Sequence, residues 1–294
     1  MGHMIVTGTA DGLYEIGLDG VVGRHVLAGT EVRAVSGDWA IADDTVVSLD
    51  TEKQVDLPDG VVPRCLLAGA EGACLVGTSG ARLFKIGNGD LQAIESFDAI
   101  PERHEWTSPW GGPPDTRSLA MGPNGLLVNV HVGGVWRTNG TGWVEAVAAG
   151  QDVHQVVAFE TTIAAAAAAG VGQSQDGGKS WTWSTDGLHA SYCRAATVAE
   201  GWLLVSASTG PGTNRGGIYR RPLDGSGQPF TPCGADGSLP RAFPYNVDTW
   251  ELSADGPLVA LGTPTGEIHL SEDSGETWRL LADALPGVRT VNFG

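Results

Sequence analysis

Ser174-Gln175-Asp176-Gly177-Gly178-Lys179-Ser180-Trp181 returns in the chain as Ser271-Glu272-Asp273-Ser274-Gly275-Glu276-Thr277-Trp278. Both copies read S-x-D-x-G-x-x-W, and alternating or apolar residues flank each of them. Serine and aspartate side chains bond nearby backbone N–H groups in tight turns, and glycine adopts the positive φ that such turns require. The tryptophan begins the outgoing strand and offers a large apolar surface for burial against a neighbouring sheet. The pattern therefore predicts a hairpin that recurs in a repetitive all-β fold.

The S-x-D-x-G-x-x-W pattern resembles the Asp-box hairpin of BNR-repeat β-propellers, among them sialidases, Vps10-type ectodomains and Ycf48-type photosystem assembly factors. The whole chain is similar in build to the WD40/YVTN/BNR-like propellers, a group often called sialidase-like. This resemblance implies architecture and not activity, because the box lies at a turn that does no chemistry in those families and because one fold hosts many functions. A true sialidase would also need an early F/Y-R-I-P segment, which this sequence lacks.

Composition restricts the classes of partner. The chain has 294 residues and a formal net charge of −17, so nucleic acid and anionic membranes are unfavourable partners. We expect no transmembrane helix and no leader, because no apolar run approaches ~20 residues. The four cysteines show neither metal-ligand spacing nor a disulfide framework, which predicts a cytoplasmic location. Residues 4–294 are expected to form a single domain, and residues 1–3 resemble a cloning remnant.

Seven segments share a polar or charged third position, mostly with an apolar residue two positions later. They recur about every 40 residues, which is the length of a four-stranded propeller blade. We interpret each of them as the opening strand of one blade. The segments are Glu31–Val35, Val62–Leu66, Asp115–Leu119, Asp152–Val156, Tyr192–Ala196, Asn246–Trp250 and Gly287–Val291.

The two ends of the chain complement each other. Met4–Thr9 reads as a second strand that lacks its own opening strand, and Val288–Phe293 reads as an opening strand with nothing after it. Pairing them would remove an exposed sheet edge. The sequence therefore predicts an all-β, seven-bladed β-propeller closed by the C-terminal strand pairing into the first blade. The alanine run 164–169 is expected to be a strand packed where only small side chains fit.

In a propeller the opening strands line the central channel, so their third residues are expected to converge at its mouth. Five of them are arginines, and such a concentration of positive charge suits a carboxylate, phosphate or sulfate ligand. Each arginine could instead pair with Glu31, Asp115 or Asp152 of a neighbouring blade. Arg215, on a glycine-rich loop, could also reach the ligand. The arginines of the ring are Arg33, Arg64, Arg117, Arg194 and Arg289.

Histidines could supply the chemistry at this mouth. His131, His154 and His189, with His104 nearby, could bind one divalent metal ion, or one of them could act as a general base. Tyr192 and Asp248 could assist proton transfer. Separate histidines bonding to backbone groups are the alternative. Cys193, beside Arg194, is either an activated thiol or a small buried side chain.

Aromatic residues lie on the loops of the same face. Trp106, Trp110 and Tyr245 could stack on a sugar or an aromatic ligand, or they could cover the apolar top of the channel.

We expect a hydrolase or lyase that acts on a small polar or anionic ligand. Two alternatives remain from other classes. The first is a non-catalytic module that binds a protein partner through the arginine-rich face. The second is a glycan-binding or glycoside-hydrolase-like protein.

Overall fold

The computed structural model describes residues 3–87, 90–108 and 111–294. Within them the chain forms seven four-stranded sheets. The fold is a seven-bladed β-propeller, as the repeats predict. In six sheets the four strands are consecutive in the chain, so each blade is built from one continuous segment. No helix among the described residues is long and apolar enough to cross a membrane.

The strands group as follows. The sheet that contains the N-terminal strand has β28 (Val288–Phe293), β1 (Met4–Thr9), β2 (Gly12–Gly17) and β3 (Val22–Val26). The next has β4 (Val32–Ser36), β5 (Trp39–Ala42), β6 (Thr45–Ser48) and β7 (Gln54–Val55). The third has β8 (Pro63–Ala68), β9 (Cys74–Thr78), β10 (Arg82–Gly87) and β11 (Asp90–Ala93). The fourth has β12 (Thr116–Gly122), β13 (Gly125–Val130), β14 (Gly134–Thr138) and β15 (Trp143–Val147).

The remaining three sheets have the same order. The fifth has β16 (Val153–Phe159), β17 (Thr162–Ala167), β18 (Gly170–Ser174) and β19 (Thr182–Ser184). The sixth has β20 (Ala196–Ala199), β21 (Trp202–Ser208), β22 (Gly216–Pro222) and β23 (Thr231–Pro232). The seventh has β24 (Leu252–Asp255), β25 (Leu258–Gly262), β26 (Ile268–Ser271) and β27 (Arg279–Ala282). The helices among the described residues are α1 (Glu95–Asp98) and three 3-10 turns, Ala70–Gly72, Ser79–Ala81 and Pro101–Glu105.

The C-terminal strand completes the first blade. β28 pairs antiparallel with β1, with Thr7 opposite Val291 and Ile5 opposite Phe293. The buried hydroxyl of Thr7 adds a hydrogen bond of 2.9 Å to the carbonyl oxygen of Thr290. The closure predicted from the two chain ends is confirmed. The alanine run is a strand only as far as Ala167: every residue of β17 is buried, whereas Ala168 and Ala169 form the turn that follows it.

The contacts of the chain group into two compact units. The first unit contains residues 1–35, 166–172 and 183–294, and the second contains residues 36–165 and 173–182. Two hydrophobic clusters can be described in the core of the first unit. One includes Leu204, Phe243 and Trp278. The other packs Ile5 and Ile268 beneath the closing strand.

Both S-x-D-x-G-x-x-W hairpins join a third strand to a fourth, and the two have the same pattern of internal hydrogen bonds. The Ser174 hydroxyl donates to Asp176 at 2.8 Å and accepts from the Gly178 N–H at 2.8 Å. The corresponding distances in the second copy, around Ser271, are 2.8 and 2.9 Å. The backbone N–H and the hydroxyl of Ser180 hold the pKa of Asp176 well below its usual range. The repeated residues therefore encode one local structure twice.

A β-bulge marks the third position of several opening strands. Arg64, Arg117 and Arg289 are each the extra residue where the register of their strand shifts. Such a bulge re-aims a side chain and ends regular pairing. The opening strands of the sixth and seventh blades begin later than predicted, at Ala196 and at Leu252. In the second case the reason is local, because Asp248 bonds the backbone and the carboxylate of Glu251 and so forms a turn.

Neighbouring blades of the first unit approach closely at a glycine. A Cβ atom placed on Gly262 of β25 would lie 2.4 Å from Val288 Cγ1 and 2.9 Å from Val291 Cγ1 of β28. These valines are buried in the core, so they have little room to retreat.

We expect Gly262→Ala to lower the free energy of unfolding by about 1–3 kcal/mol, because the added methyl overpacks the contact between blades. Urea denaturation measures the change. Gly212→Ala is the matched control, since its Cβ would meet no atom within 4 Å. Equal stability of the two variants would contradict the close approach.

Candidate functional site

One carboxylate of the first unit bridges two of the predicted arginines. Glu31 accepts hydrogen bonds from Arg33 Nε at 2.8 Å and from Arg289 Nε at 2.7 Å. These bonds, first from Arg289 and then from Arg33, lower the pKa of Glu31. The arginine side chains remain 41% and 37% exposed, so both guanidinium groups can still be reached from solvent.

A second ion pair lies at the start of the sixth and seventh blades. Arg194 pairs with Asp248, and its guanidinium carbon lies 5.4 Å from the centre of the Tyr192 ring. The Arg194 side chain is only 18% exposed. Although burial opposes its charge, the Asp248 carboxylate raises the pKa of Arg194. The same two segments are also joined through the Arg194 backbone, because the Thr249 hydroxyl donates to the Arg194 carbonyl oxygen at 3.2 Å.

Glu251 is the residue that sequence reasoning missed. It is 5% exposed, and its Oε2 accepts a hydrogen bond of 2.7 Å from the Asp248 N–H. Burial raises the pKa of Glu251 to about 8, with Arg289 and Arg194 near enough to oppose the shift. The only signal in the sequence is a glutamate directly before the apolar strand at Leu252. That signal is weak, because charged residues flank many strands.

These residues of the first unit form one electrostatic group, which we call the arginine–glutamate cluster. It contains three guanidinium groups, two ion-paired carboxylates and a buried carboxyl group whose pKa burial raises to about 8. The cluster therefore gathers three of the cationic side chains of a chain whose formal net charge is −17. Such a group can hold a small anion and offer it a proton. Its members are Glu31, Arg33, Arg194, Asp248, Glu251 and Arg289.

Two further predicted arginines lie in the second unit. Arg64 Nε lies 2.9 Å from Asp115 Oδ2, which is the pairing between neighbouring blades that we considered as the alternative. Arg117 is the half-buried bulged residue of β12.

Two of the predicted histidines meet at a carboxylate in the second unit. Asp152 lies 3.2 Å from His131 Nε2 and 3.3 Å from His154 Nε2. Burial alone would raise the pKa of Asp152, but its contacts with His131 and His154 hold that pKa well below its usual range. His154 is completely buried, whereas His131 is 13% exposed. This geometry fits a structural cluster better than an open catalytic pair.

His189 has other partners. Its Nδ1 lies 2.8 Å from the Tyr219 hydroxyl and its Nε2 lies 3.2 Å from the Arg215 carbonyl oxygen. Both ring nitrogens are thus engaged within the first unit. Over residues 3–87, 90–108 and 111–294, no group of three or more His, Cys, Asp or Glu side chains is arranged to hold a metal ion.

The predicted stacking residues differ in accessibility. Trp106 is 5% exposed and packs between Trp136 and Phe97, so neither of its faces is open to a ligand. Tyr245 is half-buried against Phe243, and its hydroxyl contacts Thr265 at 3.3 Å. Trp110 lies outside the described residues.

Two other residues that the sequence singled out also have clear positions. Arg215 is exposed on its loop. Cys193 is fully buried, which raises the pKa of its thiol to about 12 and favours the structural alternative over the activated thiol.

Comparison with solved structures finds the same fold. The computationally designed Ika8 protein matches 95% of this chain over 83% of its own, with 18% identity and a TM-score of 0.61. U3-55K matches 89% of this chain over 84% of its own, with 13% identity and a TM-score of 0.61. A chain of the nidogen/laminin complex matches 99% over 98% of its own, with 9% identity and a TM-score of 0.57. At these identities the likeness extends to the fold alone.

No protein-family model matches the chain. No curated protein matches it.

Proposed function

We propose that this protein acts on a small anionic molecule, as a hydrolase or lyase, at the arginine–glutamate cluster. The observation that carries the proposal is the burial of Glu251 beside two arginine ion pairs. Buried carboxyl groups that keep their proton near pH 7 are concentrated at sites where enzymes transfer protons. The two S-x-D-x-G-x-x-W hairpins have the same internal hydrogen bonds. From this we infer that the chain is a BNR-type, Asp-box propeller.

The charge of the cluster supports an anion as the ligand. Arg33 and Arg289 both donate to Glu31, so two guanidinium groups meet at one carboxylate. Both side chains are more than a third exposed, so an anion can approach them without unfolding the site. A planar guanidinium group binds carboxylate and phosphate oxygens through paired hydrogen bonds.

The proposed roles divide between the arginines and Glu251. Arg33, Arg194 and Arg289 orient the anion. Glu251 donates its proton to the leaving group of the bound molecule, which neutralises the charge that develops on that group as its bond breaks. Asp248 holds Arg194 and, through its backbone N–H, the Glu251 carboxyl group.

A panel of small carboxylic acids and phosphate and sulfate esters tests this function. Ligand-induced shifts in melting temperature identify binders, and proton NMR follows the conversion of each binder. We expect Arg289→Met and Arg194→Met to weaken binding about tenfold or more. Glu251→Gln should keep affinity within about threefold and lower turnover about 100-fold. Arg24→Met and Arg279→Met, at exposed arginines of the same unit, are the controls.

Several results would overturn the proposal. Equal losses of affinity in the cluster variants and the control variants would show that the anion does not bind at the cluster. Undiminished turnover in Glu251→Gln would remove the assigned proton donor. Specific binding without conversion of any compound would leave a binding module in place of an enzyme. Binding of none of the compounds, together with a protein partner lost in Arg33→Glu, would replace the enzyme with an assembly module.

A further inference from the structure

The second unit contains a cavity that the cluster described above does not use. Its volume is about 560 Å³, within the usual range for small-molecule sites. It lies between the hairpin of β14 and β15 and the segment that contains α1 and the 3-10 turn Pro101–Glu105. We call it the tryptophan pocket.

Apolar side chains form the walls of the tryptophan pocket. They include Ile100, Trp136 and Trp143, with Trp136 only 4% exposed. Two contacts fix the Trp143 indole in place. Its N–H donates to the Ser96 hydroxyl at 3.2 Å, and the centre of its ring lies 4.9 Å from the centre of the Phe97 ring in an edge-on arrangement. A rigid aromatic wall binds a ligand at little cost in side-chain entropy.

The charge at the pocket has one sign. Glu102 and Glu145 line it and are exposed, and among the described residues that line it there is no Lys, Arg or His. Glu145 uses Oε1 to accept the Ala149 N–H at 3.0 Å, which fixes the position of its carboxylate.

The nearest arginine on the same segment is engaged elsewhere. Arg103 donates to the carbonyl oxygens of Ala81 and Gly80 and lies over the Trp106 ring. Its ion pair is with Asp98, at 3.7 Å, and not with either glutamate of the pocket.

We propose that the tryptophan pocket binds a small organic cation, an ammonium or guanidinium group carried on an apolar body. The apolar body would pack against the partly exposed Trp143 ring, and the cationic group would lie between Glu102 and Glu145. Indole faces attract cations, and two carboxylates that no lining cation neutralises add to that attraction. The net charge of −17 raises the local concentration of cations further. A neutral or anionic molecule would lack all of these electrostatic contributions.

A matched pair of probes tests the proposal on the full chain. 2-Phenylethylamine carries the cation, and 2-phenylethanol has nearly the same shape without it. Calorimetric titration gives the affinities at pH 7, and the indole N–H resonances in NMR spectra report whether Trp143 is affected. We expect the amine to bind at least about fivefold more tightly than the alcohol, with an affinity that falls as salt screens the carboxylates.

Variants localise the binding. Glu102→Gln combined with Glu145→Gln should weaken amine binding about three- to tenfold and leave alcohol binding unchanged. Glu52→Gln combined with Glu71→Gln, at exposed glutamates that do not line the pocket, should change neither. These substitutions lie at the surface, so the variants are expected to fold.

Three outcomes would overturn the proposal. Equal affinity for the amine and the alcohol would show that the pocket binds these probes through apolar contact alone. Amine binding that survives in the Glu102/Glu145 variant, or that leaves the Trp143 resonance unmoved, would assign the cation to another site. Absence of binding at millimolar amine would show that the cavity takes no such ligand.

Discussion

Glu251→Gln is expected to stabilise the protein, and to do so most strongly at alkaline pH. In the unfolded chain a glutamate ionises near pH ~4.3. In the folded protein burial raises the pKa of Glu251 to about 8. Between these values the unfolded chain releases a proton that the folded protein retains, so folding becomes less favourable as pH rises. The stability that the protonated group contributes below pH ~4.3 is therefore lost as pH rises through the folded pKa.

The size of the effect follows from this linkage. Glutamine is neutral at every pH and can still accept the hydrogen bond from the Asp248 N–H. We expect the gain in free energy of unfolding, variant minus wild type, to increase by about 2–4 kcal/mol between pH 5 and pH 9. Urea denaturation at a series of pH values measures it. Glu200→Gln, at an exposed glutamate, should give a difference that does not change with pH. A flat difference for Glu251→Gln would mean that this carboxyl group ionises normally, and the proposed proton donor would be lost with it.

Trp278→Ala is expected to be among the most destabilising single changes in the chain. Trp278 is 6% exposed and belongs to the cluster that contains Leu204 and Phe243. Its indole N–H also donates to the Gly275 carbonyl oxygen at 3.0 Å. Truncation would leave a large cavity and an unpaired carbonyl group, at a cost of about 3–5 kcal/mol in free energy of unfolding.

The chain provides a matched control for this substitution. Trp181 occupies the same position in the first hairpin and is half-buried. Trp181→Ala should therefore cost only about 1–2 kcal/mol, since less apolar surface returns to water. Both variants can be compared by thermal and urea denaturation. Losses of equal size would mean that the repeated pattern, and not the depth of burial, sets the energetic role of the tryptophan.

Local structure could be predicted well because it depends on residues close in sequence. The serine, aspartate and glycine of the repeated turn bond one another within a few residues, so the two hairpins follow from the pattern. The seven opening segments fixed the number of blades. The unpaired strands at the two ends predicted the pairing of β28 with β1.

The candidate site could be predicted only in part. The arginines at the third positions were found, because they repeat with the blades. Glu31 and Asp115 were named only as alternative partners, and both do pair with arginines of the ring. What the pattern did not give is which arginines meet, since Glu31 joins Arg33 to Arg289, which lies 258 positions after Glu31. The three histidines that the sequence analysis grouped together have different partners in the structure. Asp152 contacts His131 and His154, whereas His189 contacts Tyr219 and the Arg215 carbonyl oxygen.

The sequence alone determined the all-β class, the seven repeats, the turn chemistry and the pairing of the chain ends, because each of these depends on short-range pattern and periodicity. The tertiary structure alone decided how deeply each side chain is buried. It buried Trp278 and left Trp181 only partly buried within the same pattern, and it placed Glu251 out of water beside Arg194 and Arg289. Burial depends on contacts between distant parts of the chain, so a charge that looked ordinary in the sequence became the group with the most altered environment in the candidate site.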